Sequence, residues 1–231
     1  MDIKILYGVE GARQAEGIVV IIDVLRAATV EAYLLDKGVK DITPVATKAE
    51  AFAYKEQDPA LILVGEEDGI KIPGFDIGNS PAQIRKLTDL KGKSVIHRSS
   101  TGTQGLVNAH QADTVIFGSF VVFSAIYNFI LDQNPEKVSL VAMESIEKSE
   151  DYFFAQYLKD KLLGKQTLSM KKIVRILKSY PDRQHFFDPQ QPEFQVDDFY
   201  LSLKLDTFSF FPILKNDKLV RFDGNLSVTK N

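Results

Sequence analysis

The sequence predicts an α/β protein: a three-layer α/β/α fold with a mostly parallel or mixed sheet, plus a C-terminal extension ending in a hairpin. Two observations carry this. Apolar, β-rich runs alternate with helix-like stretches from about residue 18 to residue 163, the pattern of a sheet covered by helices on both faces. The run Ile18-Val-Val-Ile-Ile22 is continuous rather than alternating, so burial on both faces is expected of it.

The elements follow in order. Asp23 ends the first of these strands, and residues 26–37 read as a helix stopped by Gly38. A short strand over 42–45 precedes a helix over 48–56 with Thr47 as its N-cap. Leu61–Val64 is a further strand, and Ser80 is placed to cap a helix with Pro81 in its first position. Strands over 93–97, 114–117 and 138–142 then alternate with helices ending near 110, over 119–132 and over 148–163. Beyond 165 the pattern changes. A helix is expected over 169–179 and helical residues over 197–205. The segments 208–214 and 219–222 flank Asn216-Asp217 as a hairpin. The chain reads as one domain over 1–231, with 165–231 packed on it as an extension.

Composition narrows the classes. At 231 residues, 45% hydrophobic, the chain can bury a substantial core. Its 28 basic and 31 acidic residues nearly balance, so no nucleic-acid partner is expected. There is no cysteine, which excludes disulfides, thiolate zinc sites and cysteine nucleophiles and is compatible with the cytoplasm, the expected location. The start MDIKILYGVEG has an early acid and no apolar h-region, so it does not read as a signal peptide. The uncharged run Val115–Leu131 is divided by Gly118-Ser119. It reads as strand, turn and helix rather than a membrane span, and no membrane partner is expected.

Three loops carry the chemistry. Asp23-Val-Leu-Arg26 puts a carboxylate at the end of a buried strand, where open α/β sheets bind ligands. A hard cation prefers such oxygen ligands, and Arg26 can clamp a phosphate or carboxylate. The same two residues could equally be a helix cap and a surface arginine. Glu66 and Glu67 follow a strand and could feed a metal, serve acid–base chemistry, or be ordinary loop residues. In Gly74-Phe-Asp-Ile-Gly-Asn-Ser-Pro81, Asp76 offers a carboxylate, while Asn79 and Ser80 offer donors near a helix start. In Arg98-Ser-Ser-Thr-Gly-Thr-Gln-Gly105, the hydroxyls of Ser99, Ser100, Thr101 and Thr103 alternate with Gly102, Gln104 and Gly105. A loop of this kind entering a helix can cradle an anion with backbone N–H groups. It lacks the lysine of a P-loop and the spacing of a dinucleotide fingerprint. Of the histidines, His97 sits just before this loop, and none has metal-ligand spacing. No G-x-S-x-G elbow supports a serine hydrolase.

The segments IIDVLRAAT (21–29), GEEDGIKIPGFDIGNSP (65–81) and RSSTGTQG (98–105) resemble the ComB family of 2-phosphosulfolactate phosphatases. SEDYFFAQYL (149–158) and LKLDTFSFFPIL (203–214) add weaker likeness. The resemblance implies a Mg²⁺-dependent phosphatase acting on phosphate monoesters of 2-hydroxy acids, small anionic substrates. The named reaction takes 2-phospho-3-sulfolactate and water to 3-sulfolactate and phosphate, in coenzyme M biosynthesis. Carried over, the metal positions fall on Asp23, Glu66 and Asp76, and a late acidic pair on Glu150 and Asp151. Catalytic positions fall on Asp23, Arg26, Glu66 and Arg98, and substrate-binding positions on Asn79, Ser80 and residues 99–105. Where the family often carries hydroxyl residues after DVLRA, this chain has Ala28, Thr29 and Val30. Two alternatives stay open: an aspartyl-phosphate mechanism on Asp23, and a non-catalytic anion-binding domain. A homodimer also stays open.

Overall fold

A computed structural model describes residues 1–144 and 148–224; positions 225–231 of the expected tail lie outside it. The elements are β1 (Asp2–Tyr7), α1 (Gly8–Arg13), β2 (Gly17–Ile22), α2 (Ala27–Asp36), β3 (Asp41–Pro44), α3 (Lys48–Gln57), β4 (Ile62–Glu67) and β5 (Ile70–Lys71). They continue with α4 (Pro81–Lys86), β6 (Ser94–Arg98), α5 (Gly102–Asn108), β7 (Ala112–Gly118), α6 (Phe123–Gln133), β8 (Lys137–Ala142) and α7 (Glu150–Leu162). The tail adds α8 (Met170–Lys178), α9 (Val196–Ser202), β9 (Phe211–Lys215) and β10 (Lys218–Phe222). Short 3₁₀ turns occupy Phe120–Val122 and Pro181–Phe187.

The strands form one ten-stranded sheet in the order β1-β8-β2-β7-β9-β10-β3-β6-β4-β5. Two blocks are parallel: β1-β8-β2-β7 and β3-β6-β4. Local signals set many of the boundaries. Ile18–Ile22 is buried on both faces, as its unbroken apolar run requires. Thr47 and Glu50 form a reciprocal capping box at α3. Ser80 caps α4 with Pro81 in its first turn. Asn216 and Asp217 both have positive φ, the backbone of a two-residue hairpin turn. Residues 115–131 run from β7 through a 3₁₀ turn into α6. Among the described residues no helix is long and apolar enough to cross a membrane.

Two features go beyond the sequence reading. The chain opens on an edge strand, β1, paired in parallel with β8. The C-terminal hairpin is inside the sheet rather than against it: β9 meets β7 through Ile116 and Ile213, and β10 meets β3 through Leu219 and Ile42. Phe211, Ile213 and Leu219 are buried there, and Phe211 packs its ring against Phe129 and Phe222. The tail is therefore the seam between the two parallel blocks.

Candidate active site

The carboxyl ends of β2, β4 and β6 come together at one cavity of about 310 Å³. Asp23, directly after β2, is 5% exposed. Its Oδ1 accepts from the Ala27 N–H at 3.0 Å and its Oδ2 from the Thr101 hydroxyl at 2.8 Å. Burial raises its pKa; the Glu66 charge adds to the rise, and the bonds from Thr101 and Ala27 oppose it. Glu66, at the end of β4, accepts from Ser100 N–H at 2.6 Å, Gly69 N–H at 2.6 Å and the Ser100 hydroxyl at 3.1 Å. The loop after β6 thus ties two carboxylates from two blocks of the sheet. Two glycines make this approach possible. A Cβ on Gly65 would lie 2.1 Å from the Arg98 carbonyl oxygen, and one on Gly102 would lie 2.7 Å from Asp23 Oδ2.

The late acidic pair is in the same cavity. Asp151 accepts from Val24 N–H at 2.8 Å and Glu144 N–H at 3.0 Å. Burial, then the charges of Asp23 and Glu150, push its pKa well above the carboxylate range. Glu150 is pushed up to about 7 by burial, against the pull of Arg183. Arg183 bonds Glu150 through Nε at 2.8 Å and also pairs with Glu144. Arg26 also lines the cavity. Its Nη1 donates to Glu193 O and Asp198 Oδ2, both at 3.1 Å, and its Nη2 to Gly69 O at 2.7 Å. The Phe194 and Phe186 rings lie 5.2 and 5.9 Å from its guanidinium.

Behind the cavity, Asn79 Oδ1 lies 3.2 Å from His97 Nε2, and His97 Nδ1 lies 2.6 Å from Glu31 Oε1. Burial holds His97 down to about 4, against the attraction of Asp23 and Glu66. Burial, with the Asp23 charge, lifts Glu31 well above its ordinary value. Glu31 Oε2 has no partner among the described residues. A neutral pair fits these facts: the Glu31 carboxyl donates to Nδ1, and Nε2–H donates to Asn79.

Several expected residues are elsewhere. Asp76 lies outside this cavity: its Oδ2 accepts from Leu63 N–H at 2.8 Å and Lys55 at 3.2 Å, beside a separate groove, which ties the loop to β4. Arg98 turns its guanidinium to the Glu66 carbonyl and Glu67, and is absent from the cavity wall. Ser99 and Thr103 bond each other's backbone at the start of α5. Gln104 donates to Ala46 O at 2.7 Å. A Cβ on Gly105 would meet Met143 and Ile21, so this glycine serves packing. Ser80 donates to Asp198 at 2.7 Å. Ala28, Thr29 and Val30 are fully buried in α2 and none lines the cavity, with Thr29 bonded to Val24 O. Sequence reasoning missed Arg183, His185, Phe186 and Phe194, which reach the cavity from the tail. Their local pattern is an aromatic run in a turn, which signals nothing by itself.

Carboxylates, hydroxyls and an arginine gathered at strand carboxyl ends define an α/β enzyme site for a small polar ligand. The family model described as 2-phosphosulpholactate phosphatase matches residues 6–217, and the chain belongs to that family of phosphoric monoester hydrolases. A probable 2-phosphosulfolactate phosphatase of Carboxydothermus hydrogenoformans is 39% identical over 160 residues, covering 68% of this chain and 66% of that protein. One of the same description from Bacillus subtilis is 30% identical over 221 residues, covering 94% of this chain and 95% of that protein.

Proposed function

We propose that this chain is a Mg²⁺-dependent phosphatase of 2-hydroxy-acid phosphate monoesters, with 2-phospho-3-sulfolactate as substrate and 3-sulfolactate and phosphate as products. The observation that carries the reading is the convergence of Asp23, Glu66 and Asp151 on one cavity with Arg26, Ser100 and Thr101. Relatives described as probable 2-phosphosulfolactate phosphatases support that choice of substrate.

The donor set suits a divalent cation. Among the described residues, the cavity wall carries Asp23, Glu66, Asp68, Glu144, Glu150 and Asp151 against only Arg26 and Arg183 as cationic side chains, each already paired with a carboxylate. With these carboxyl groups ionised, an anionic phosphoester would meet net repulsion there; a cation would favour their ionised forms, which burial now opposes at Asp23, Glu150 and Asp151, and would reverse the repulsion. Among the described residues no three carboxylate or imidazole groups form a ready-made metal cluster. Magnesium does not require one: it keeps several waters and binds through one or two carboxylates plus phosphate oxygens. Asp23, flanked by Glu66 and Asp151, would hold it. Bound there, it would supply Lewis acidity and positive charge for phosphoryl transfer.

The protein's own groups position the substrate. Arg26 offers N–H donors to phosphoryl or carboxylate oxygens. The Ser100 and Thr101 hydroxyls orient Glu66 and Asp23. Phosphoryl transfer asks chiefly for such positioning and charge neutralisation. The test is phosphate release from a panel of 2-phosphohydroxy acids, with Mg²⁺ and with EDTA. Turnover that EDTA abolishes and Mg²⁺ restores supports the proposal. Turnover unchanged by EDTA refutes the metal, and none on any substrate refutes the phosphatase.

A further inference from the structure

We propose that Asp198, on α9 of the tail, is the positioning residue for Arg26: its buried carboxylate holds the guanidinium in the cavity wall, ready for the substrate's anionic groups. The substrate's part in this rests on the phosphatase reading; the clamp itself rests on geometry.

The Asp198 side chain is fully buried and takes no part in the cavity wall, whereas Arg26 does. One carboxylate oxygen accepts from Arg26 Nη1 at 3.1 Å. The other accepts from the Ser80 hydroxyl at 2.7 Å and Ala82 N–H at 2.9 Å, which anchors the carboxylate to the first turn of α4. Among the described residues, Asp198 is the one carboxylate in ion-pair contact with Arg26. Among the described residues, Glu193 O, Asp198 and Gly69 O hold three of the five guanidinium N–H groups, which leaves two for a ligand.

A physical reason makes such a clamp necessary. Asp23, Glu66 and Asp68 line the same cavity. A mobile arginine beside them would fold onto the nearest carboxylate and occupy the space the substrate needs. Neutral carbonyls at Glu193 and Gly69 cannot outcompete those charges. A buried carboxylate behind the guanidinium can, because charge attraction is strong away from water. The pair adds little net stability for its burial, so its value lies in orientation.

The test is a double-mutant cycle on kcat/KM with Arg26→Ala and Asp198→Asn, together with arginine side-chain ¹⁵N NMR. Misplacing Arg26 should lower kcat/KM by about 10–100-fold in Asp198→Asn. In the Arg26→Ala background the same change should cost less than about threefold, because its effect passes through Arg26. In the wild type the Arg26 Nη resonances, identified by their loss in Arg26→Ala, should be separate through hindered rotation; in Asp198→Asn they should merge. If Asp198→Asn does not fold, Asp198→Glu, which keeps the charge but displaces it, takes its place in both experiments. Equal losses in the two backgrounds, or unchanged Nη signals, overturn the clamp. A wild type without turnover overturns the phosphatase reading instead, and the NMR result alone then decides the clamp.

Discussion

Asp23 and Asp76 both stand in loops of the kind that feed metal sites, yet only Asp23 is buried beside other carboxylates. The difference is one of surroundings. Asp76 is 44% exposed at its side chain and neutralised by Lys55, so Asp76→Asn should cost about 1 kcal/mol of stability or less. Denaturant unfolding measures this; a loss of several kcal/mol would contradict it. The Glu31–His97 pair gives a second residue-level prediction. Below the ordinary carboxylate value of 4.5, Glu31 is protonated both folded and unfolded. As pH rises from 4.5 the unfolded chain gives up the Glu31 proton while burial keeps it on the folded carboxyl, so stability from Glu31 falls with rising pH until its raised pKa is passed. His97, held down to about 4 when folded, works the other way and adds stability up to its ordinary value of 6.5. Glu31→Gln keeps a donor toward His97 and removes the falling part. Unfolding curves followed as pH rises above 4.5 should show the variant gaining on the wild type. Parallel loss in both proteins would contradict the neutral pair.

At the scale of elements, the loop between β6 and α5 divides its labour. Ser100 and Thr101 face the carboxylates, whereas Ser99 and Thr103 close the first turn of α5 and Gln104 ties to Ala46. The sequence could suggest the loop, because hydroxyls and glycines between a strand and a helix start suit anion binding. It could not assign the hydroxyls, because a cap and a ligand donor use the same atoms. Side-chain direction there is decided by how α5 lies on Ile21 and Met143, a long-range fact. Gly102→Ala tests the close approach. Its methyl would press on Asp23, Phe117 and Ala27, all within 3 Å, so activity and stability should drop together, the latter by about 1–3 kcal/mol. An active variant with a wild-type melting curve would contradict it.

At the scale of the molecule, the tail is both seam and wall. Alternating strands and helices made the parallel blocks legible, and the Asn216-Asp217 turn made the hairpin legible. The insertion of that hairpin between β7 and β3 was not, because single residue pairs join it on each side and pairing partners leave no local trace. For the same reason Arg183 and Asp198 were missed, although they bind residues far upstream in sequence. Phe211→Ala, in the seam, should cost about 3–5 kcal/mol; a loss below 1 kcal/mol would contradict a central hairpin. If catalysis belongs to the Asp23 cavity, kcat/KM with Mg²⁺ on a 2-phosphohydroxy acid should separate Asp23→Ala from Asp76→Ala. The loss should be on the order of 10³-fold or more at Asp23 and less than about threefold at Asp76, an exposed position. Near wild-type turnover in Asp23→Ala, or a comparable collapse in Asp76→Ala, would contradict it.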